Sequence, residues 1–174
     1  MYLLQCFLYS LTLFHVYGLY TCSKFVKTPF FTKDEFIECF SNANFFYKYI
    51  EVVKGTDIEF VPLLQDCQKL QFPQIIKYRA IPDIPFIPSF MLSKINIHQK
   101  WLQDKESFVG EIHTKFLTFD LILSTTQNNG EIIMNMEGKM KEKISLLPDH
   151  TLDILIDQFG GIFTKIMNDT NSKN

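Results

Sequence analysis

Glu131-Ile-Ile-Met-Asn-Met-Glu-Gly-Lys-Met-Lys-Glu-Lys143 alternates with hardly a break. Ile132, Met134, Met136, Gly138 and Met140 fall on one side; Asn135, Glu137, Lys139, Lys141 and Lys143 fall on the other. Successive side chains of a strand point to opposite faces, so this pattern predicts a strand with one face buried. Asn128-Asn129-Gly130 directly before it signals a hairpin, because Asn-Gly accepts the positive φ of tight antiparallel turns. After it, Leu147-Pro148-Asp149 opens a helix, with Asp149 near the favourable positive end of the dipole. Leu152, Leu155, Ile156, Phe159, Ile162, Phe163 and Ile166 then follow the i, i+3, i+4, i+7 spacing of a one-sided helix. That stripe must lie on the apolar face of the sheet.

Working back toward the N-terminus, the same alternation recurs. Residues 118–125 place Phe119, Leu121 and Leu123 against Asp120 and Ser124. Residues 108–116 gather Phe108, Gly110, Ile112, Thr114 and Phe116, with Glu111, His113 and Lys115 facing away. Residues 93–102 put Ile95, Ile97, Gln99 and Trp101 opposite Lys94, Asn96, His98 and Lys100. Residues 74–81 set Ile76, Tyr78 and Ala80 on one face, which leaves Arg79 toward solvent. Lys54-Gly55-Thr56-Asp57 reads as a turn before a strand carrying Ile58, Phe60 and Leu63. Thr32-Lys-Asp-Glu35 has the form of a capping box and starts a short helix through Phe36, Ile37 and Phe40. Phe45, Phe46, Tyr49 and Ile50 form a second. A first strand occupies residues 20–28. The fold class is α+β: about six or seven antiparallel strands, two short helices after the first strand, and one long helix at the end.

The totals fit one domain with short appendages: 174 residues, 47% hydrophobic and 15% aromatic, with 18 Phe. A net charge of −2 gives no electrostatic reason to expect nucleic acid as a partner. Arg79 is the single arginine beside 16 lysines, which excludes an anion clamp built from several arginines. Cys6, Cys22, Cys39 and Cys67 form no C-x-x-C and read as free thiols. His15, His98, His113 and His150 show no metal-ligand spacing, so neither a metal nor a cofactor is expected. Pro82, Pro85 and Pro88 punctuate an extended connection whose Phe86, Ile87, Phe90 and Met91 call for packing.

Residues 1–23 contain no Asp, Glu, Lys or Arg. An apolar core of signal-peptide length is present, yet the basic flank that a secretory signal wants is absent. As a membrane span the stretch is borderline in length and diluted by Gln5, Ser10, Thr12 and His15. A signal or anchor, with contact to a membrane, and a plain apolar extension both stay open. The domain division is then an extension over residues 1–19, a domain over residues 20–168 and a polar tail over residues 169–174.

The order strand, two short helices, antiparallel meander and long C-terminal helix resembles the START-like or helix-grip superfamily, which includes polyketide cyclases, birch-pollen-allergen-type proteins and lipid-transfer domains. The stretch from Trp101 through Phe108-Val-Gly-Glu-Ile112 and the Met-rich strand into Lys-Ile-Ser-Leu-Leu-Pro148 carries the likeness best. The resemblance implies a cavity between sheet and helix that takes a hydrophobic small molecule or lipid. Its expected lining is Tyr78, Gln99, Trp101, Ile112, Phe119, Leu121, Met134, Met136, Met140, Ile156, Phe159, Gly160 and Phe163. Methionines adapt to variable shapes but serve equally as ordinary core. Gly160-Gly161 costs about 1 kcal/mol per glycine relative to alanine, consistent with close packing, a kink or a bend that admits a ligand.

No catalytic residue is assigned. His98 and His113 are expected side by side on the solvent face, and no nucleophile elbow or phosphate loop occurs. Two other readings stand beside the binder. One is a cyclase or aromatase, which requires a buried polar cluster near Gln99 and Tyr78. The other is a cavity-less interaction module that docks through Phe30–Phe31, Phe45–Phe46 or the loop from Pro82 to Pro88.

Overall fold

Residues 20–63, 69–81, 93–143 and 147–171 are described by the computed structural model of the chain. In chain order they form β1 (Thr21–Lys27), α1 (Lys33–Phe40), α2 (Ala43–Val52), β2 (Thr56–Val61), β3 (Gln74–Ala80), β4 (Ile95–Asp104), β5 (Ser107–His113), β6 (Leu117–Asn128), β7 (Glu131–Lys143) and α3 (Thr151–Asn171). The strands make one antiparallel sheet in the order β1-β7-β6-β5-β4-β3-β2. The possible signal or anchor over residues 1–19, the segment from Pro82 to Pro88, Cys6 and Cys67 lie outside the described residues. Among the described residues no helix is long and apolar enough to cross a membrane.

Local sequence explains most boundaries. Thr32 caps α1 by accepting from the Glu35 amide, while Glu35 reaches back to the Thr32 amide, so both halves of the capping box are present. Asn42 caps α2 through its side chain and the Asn44 amide. The Asn129-Gly130 turn has φ of 51° and 81°, the left-handed pair that the hairpin requires.

Among the boundaries that differ from the sequence reading, three are explained by local contacts. β5 stops at His113, because the Thr114 hydroxyl captures the amides of Phe116 and Leu117 at 3.1 Å and turns the chain. α3 begins at Thr151 instead of Asp149; Asp149 is held by Lys143, and the Thr151 amide and hydroxyl both donate to the Pro148 carbonyl. At its other end α3 runs past Asn168 to Asn171, and Lys48 Nζ donates to Thr170 Oγ1 at 3.3 Å. Ile58 and Phe60 do not share a face as the alternation predicts. A bulge between Thr56 and Glu59 breaks the register, leaving Ile58 exposed and Phe60 buried.

α3 lies along β1 and β7. Asp157 pairs with Lys24 at 2.6 Å, Asp153 accepts from the Tyr20 hydroxyl, and the backbone of Gly160 passes close enough that an added Cβ would meet Lys24 and Val26 at 3.4 Å. The helix is continuous through Gly160 and Gly161, so the first glycine serves close approach to β1. Gly161 is exposed, with open space around its α-carbon.

Candidate functional site

All thirteen residues that the sequence analysis assigned to a cavity lining are buried on the side of the sheet that faces the helices. They do not share one environment. One group belongs to a row running straight across the sheet: Trp101 opposite Gly110, Gly110 opposite Leu121, Leu121 opposite Gly138. Large and small alternate, and neighbours fill each gap. A Cβ on Gly110 would stand 2.8 Å from the Trp101 indole, and one on Gly138 would stand 2.8 Å from Ile156 Cδ1. Met134, Met136 and Leu121 are fully covered, so these methionines are close-packed core.

Toward the β4–β5 and β6–β7 hairpins the interior is closed by phenylalanines from α1 and α2. Phe36 and Phe40 contact Phe108 at 6.0 and 5.6 Å, Phe46 meets Trp101 at 5.5 Å, and Phe163 of α3 packs against Phe40 and Phe45 at 5.4 and 5.2 Å. Edge-to-face and tilted geometries of this kind add to the stabilisation from burial itself. Phe45 and Phe46 therefore form a plug and cannot present a docking patch. Of the Phe30–Phe31 pair only Phe31 is exposed. Sequence reasoning found these rings at helical spacing but missed their task, since nothing in a period of 3.6 says what lies opposite.

Of the thirteen, Met140 sits at the other end, where β4 and β6 begin, β7 finishes and α3 starts, beside Ile97 and Leu117, which the sequence analysis did not assign to the lining. Ile97, Met140, Phe159 and Leu117 retain 9%, 8%, 7% and 6% exposure beside fully covered Leu152 and Ile156, and at the hairpin end Val26 and Phe30 retain 7% beside fully covered Phe36, Phe40 and Phe108. Phe159 separates the two regions. Its ring stacks on Tyr49 at 5.7 Å and touches Phe119 at 6.0 Å, bridging α2 and β6.

Beside this end lies a buried polar chain. Trp101 Nε1 donates to Gln99 Oε1 at 3.0 Å, and Gln99 Nε2 donates to the Tyr78 hydroxyl at 2.9 Å. Tyr49 interacts with both Tyr78 and Gln99. Burial pushes the Tyr49 hydroxyl up to about 12, and burial followed by Tyr49 itself holds Tyr78 well above the ordinary phenol range. Both phenols stay protonated near neutrality, and the Tyr78 hydroxyl accepts from Gln99 Nε2. Tyr49 is the member that sequence reasoning missed: it lies on α2, and only the tertiary fold brings it to β3.

On the outer face, His98 and His113 are direct cross-strand partners, and Arg79 is half exposed beside Asp57. Cys22 and Cys39 are free thiols, pushed up to about 11 and about 12, by burial first in each case. Among the described residues no group of three or more His, Cys, Asp or Glu side chains is placed to hold a metal ion.

No family model matches the chain, and no curated protein matches it. Solved structures do. Ara h 8.0201 superposes with a TM-score of 0.62 at 13% identity, covering 89% of this chain and 99% of that one. Major latex-like protein 151 from Panax ginseng gives 0.54 at 9% identity, covering 88% and 96%. A conserved protein from Geobacillus kaustophilus gives 0.52 at 13% identity, covering 88% and 94%. At such identities the likeness speaks for the fold alone, and it agrees with the strand order and the closing helix: the chain has the START-like, helix-grip fold.

Proposed function

We propose that the chain binds an apolar small molecule, of lipid or sterol type, between sheet and α3, at the end where α3 starts, without transforming it. The observation that supports this reading is the helix-grip fold, in which one buried apolar face of the seven-stranded sheet is turned toward α3. Phenylalanines from α1 and α2 fill the hairpin end, and toward the other end the interior is lined by the aliphatic and thioether side chains of Ile97, Leu117 and Met140 with the Phe159 ring. Covering apolar ligand surface there contributes about 25 cal/mol per Å² without any specific polar contact. The Tyr49–Tyr78–Gln99 group beside it offers a hydrogen-bond donor to a ligand that carries one oxygen. With the hairpin half filled by side chains, the ligand is shorter than a tunnel through the whole domain would take.

Native mass spectrometry of the full chain, purified without denaturant, tests the reading. The expected result is a population carrying a bound apolar molecule, lost in Ile97→Phe, whose larger side chain fills that end. Bare protein only, with no uptake of a fluorescent fatty acid, would sink it.

A cyclase-type enzyme is favoured by one observation, the buried pair of phenols at Tyr49 and Tyr78. Their raised pKa values suit them to polarise a carbonyl and not to exchange protons near neutrality. Recovery of the ligand chemically unchanged after prolonged incubation with the protein would exclude this second reading for that ligand.

A further inference from the structure

The outer face of the sheet carries a recess of about 420 Å³ where β3 ends, β4 begins and β5 turns into β6. Arg79, Lys94, Lys115, His98, His113 and Asn96 line it, and among the described residues no carboxylate does. This imbalance stands out in a chain with 17 basic residues against 19 acidic ones. The register explains how it arises. Arg79 is the cross-strand partner of Asn96, and His98 is the partner of His113, so two adjacent rows of the pleat bring these groups to one surface. Lys94 and Lys115 flank the rows from the start of β4 and from the turn after β5.

The cations are weakly engaged. Lys94 Nζ donates only to the Thr56 hydroxyl at 3.2 Å, and Lys115 Nζ lies 4.8 Å over the Phe116 ring; among the described residues neither has a carboxylate partner. Arg79 pairs with Asp57 at 3.5 Å, both side chains being half exposed or more. Exposed pairs of this kind are easily exchanged for a better acceptor. Glu111 approaches His113 at 3.6 Å but is drawn more closely to Lys141 at 2.8 Å. A guanidinium with planar, paired donors, two ammonium groups, a carboxamide and two imidazoles around a concave surface match a multiply charged oxyanion.

We infer that this recess binds a phosphate-bearing ligand, with the Arg79 guanidinium as the bidentate contact and Lys94 and Lys115 as charge partners. The site faces away from α3 and does not depend on the apolar interior. The same chemistry serves free phosphate and the phosphate monoester head group of a lipid, and the experiment separates the two.

The full chain is titrated with inorganic phosphate while the ring resonances of His98 and His113 are followed by NMR, with sodium chloride at matched ionic strength as control. In parallel it is sedimented with phosphatidylcholine vesicles, with and without phosphatidic acid. Saturable shifts of both histidines with phosphate assign the site to the free anion. Sedimentation only with phosphatidic acid, without shifts from phosphate, assigns it to the lipid head group. Arg79→Gln and Lys115→Gln should each weaken whichever binding is seen at least tenfold, whereas Lys139→Gln, on the distant β7, should leave it within twofold. No response to either probe, an equal response to chloride, or an equal loss in Lys139→Gln would overturn the assignment.

Discussion

Gly110→Ala is expected to be costly far beyond its size. The new Cβ would stand 2.8 to 2.9 Å from three carbons of the Trp101 indole. Trp101 cannot step aside freely, since it is almost fully buried, bonded to Gln99 Oε1 at 3.0 Å and packed on Phe46 at 5.5 Å. Overpacking of a closed core costs about 1–3 kcal/mol, and losing the indole hydrogen bond adds about 1 kcal/mol. A destabilisation of about 2–4 kcal/mol follows, which for a domain of this size lowers Tm by roughly 2–4 °C per kcal/mol. Urea unfolding followed by far-UV circular dichroism reads the loss. Trp101 is the only tryptophan, so its fluorescence reports the displaced ring directly. In a Trp101→Leu background the same substitution should cost at least about 1 kcal/mol less, as coupled neighbours do. A change within about 0.5 kcal/mol of the parent, or an equal loss in both backgrounds, would refute the claim that Trp101 fills the space over Gly110.

Gln99→Leu leaves the indole N–H and one phenol without their buried partner and should cost about 1–3 kcal/mol in the same urea assay; a neutral result would mean the polar chain contributes nothing. Gly161→Ala places a methyl group in open space on an exposed turn of α3 and should raise stability by up to about 1 kcal/mol, while a loss would show that the helix bends there. Tyr49 is raised from 10.0 to about 12, so the folded state keeps a proton that the unfolded chain releases. Its contribution is full below about pH 10 and falls as pH climbs toward about 12. Tyr49→Phe should flatten the alkaline fall in urea midpoints between those limits, and an unchanged slope would contradict the burial of that hydroxyl.

The architecture was legible because its signals are local. Alternation from Glu131 to Lys143 matches β7 residue for residue, and Thr32 with Glu35 marks the start of α1. Thr114 shows where such signals stop: the alternation runs on to Phe116, yet one hydroxyl bonding two amides turns the chain. The interior was less legible. Periodicity says that Met134 and Met140 point inward, but not that one is fully covered while the other keeps 8% of its surface accessible. That difference depends on which rings arrive from α1, α2 and α3, as Phe163 does against Phe40 and Phe45. Tyr49 escaped notice for the same reason. The basic recess was half visible, in the expected pairing of His98 with His113 and the outward Arg79, but its concavity needs the chain turn after β5.

Methyl-labelled methionine NMR puts the binding claim to its sharpest test. On titration with a fatty acid, the Met140 methyl should shift and saturate, while Met134 and Met136, fully covered on β7, stay in place. No shift at Met140, or equal shifts at all three, would contradict a site confined to the end of the domain where α3 begins.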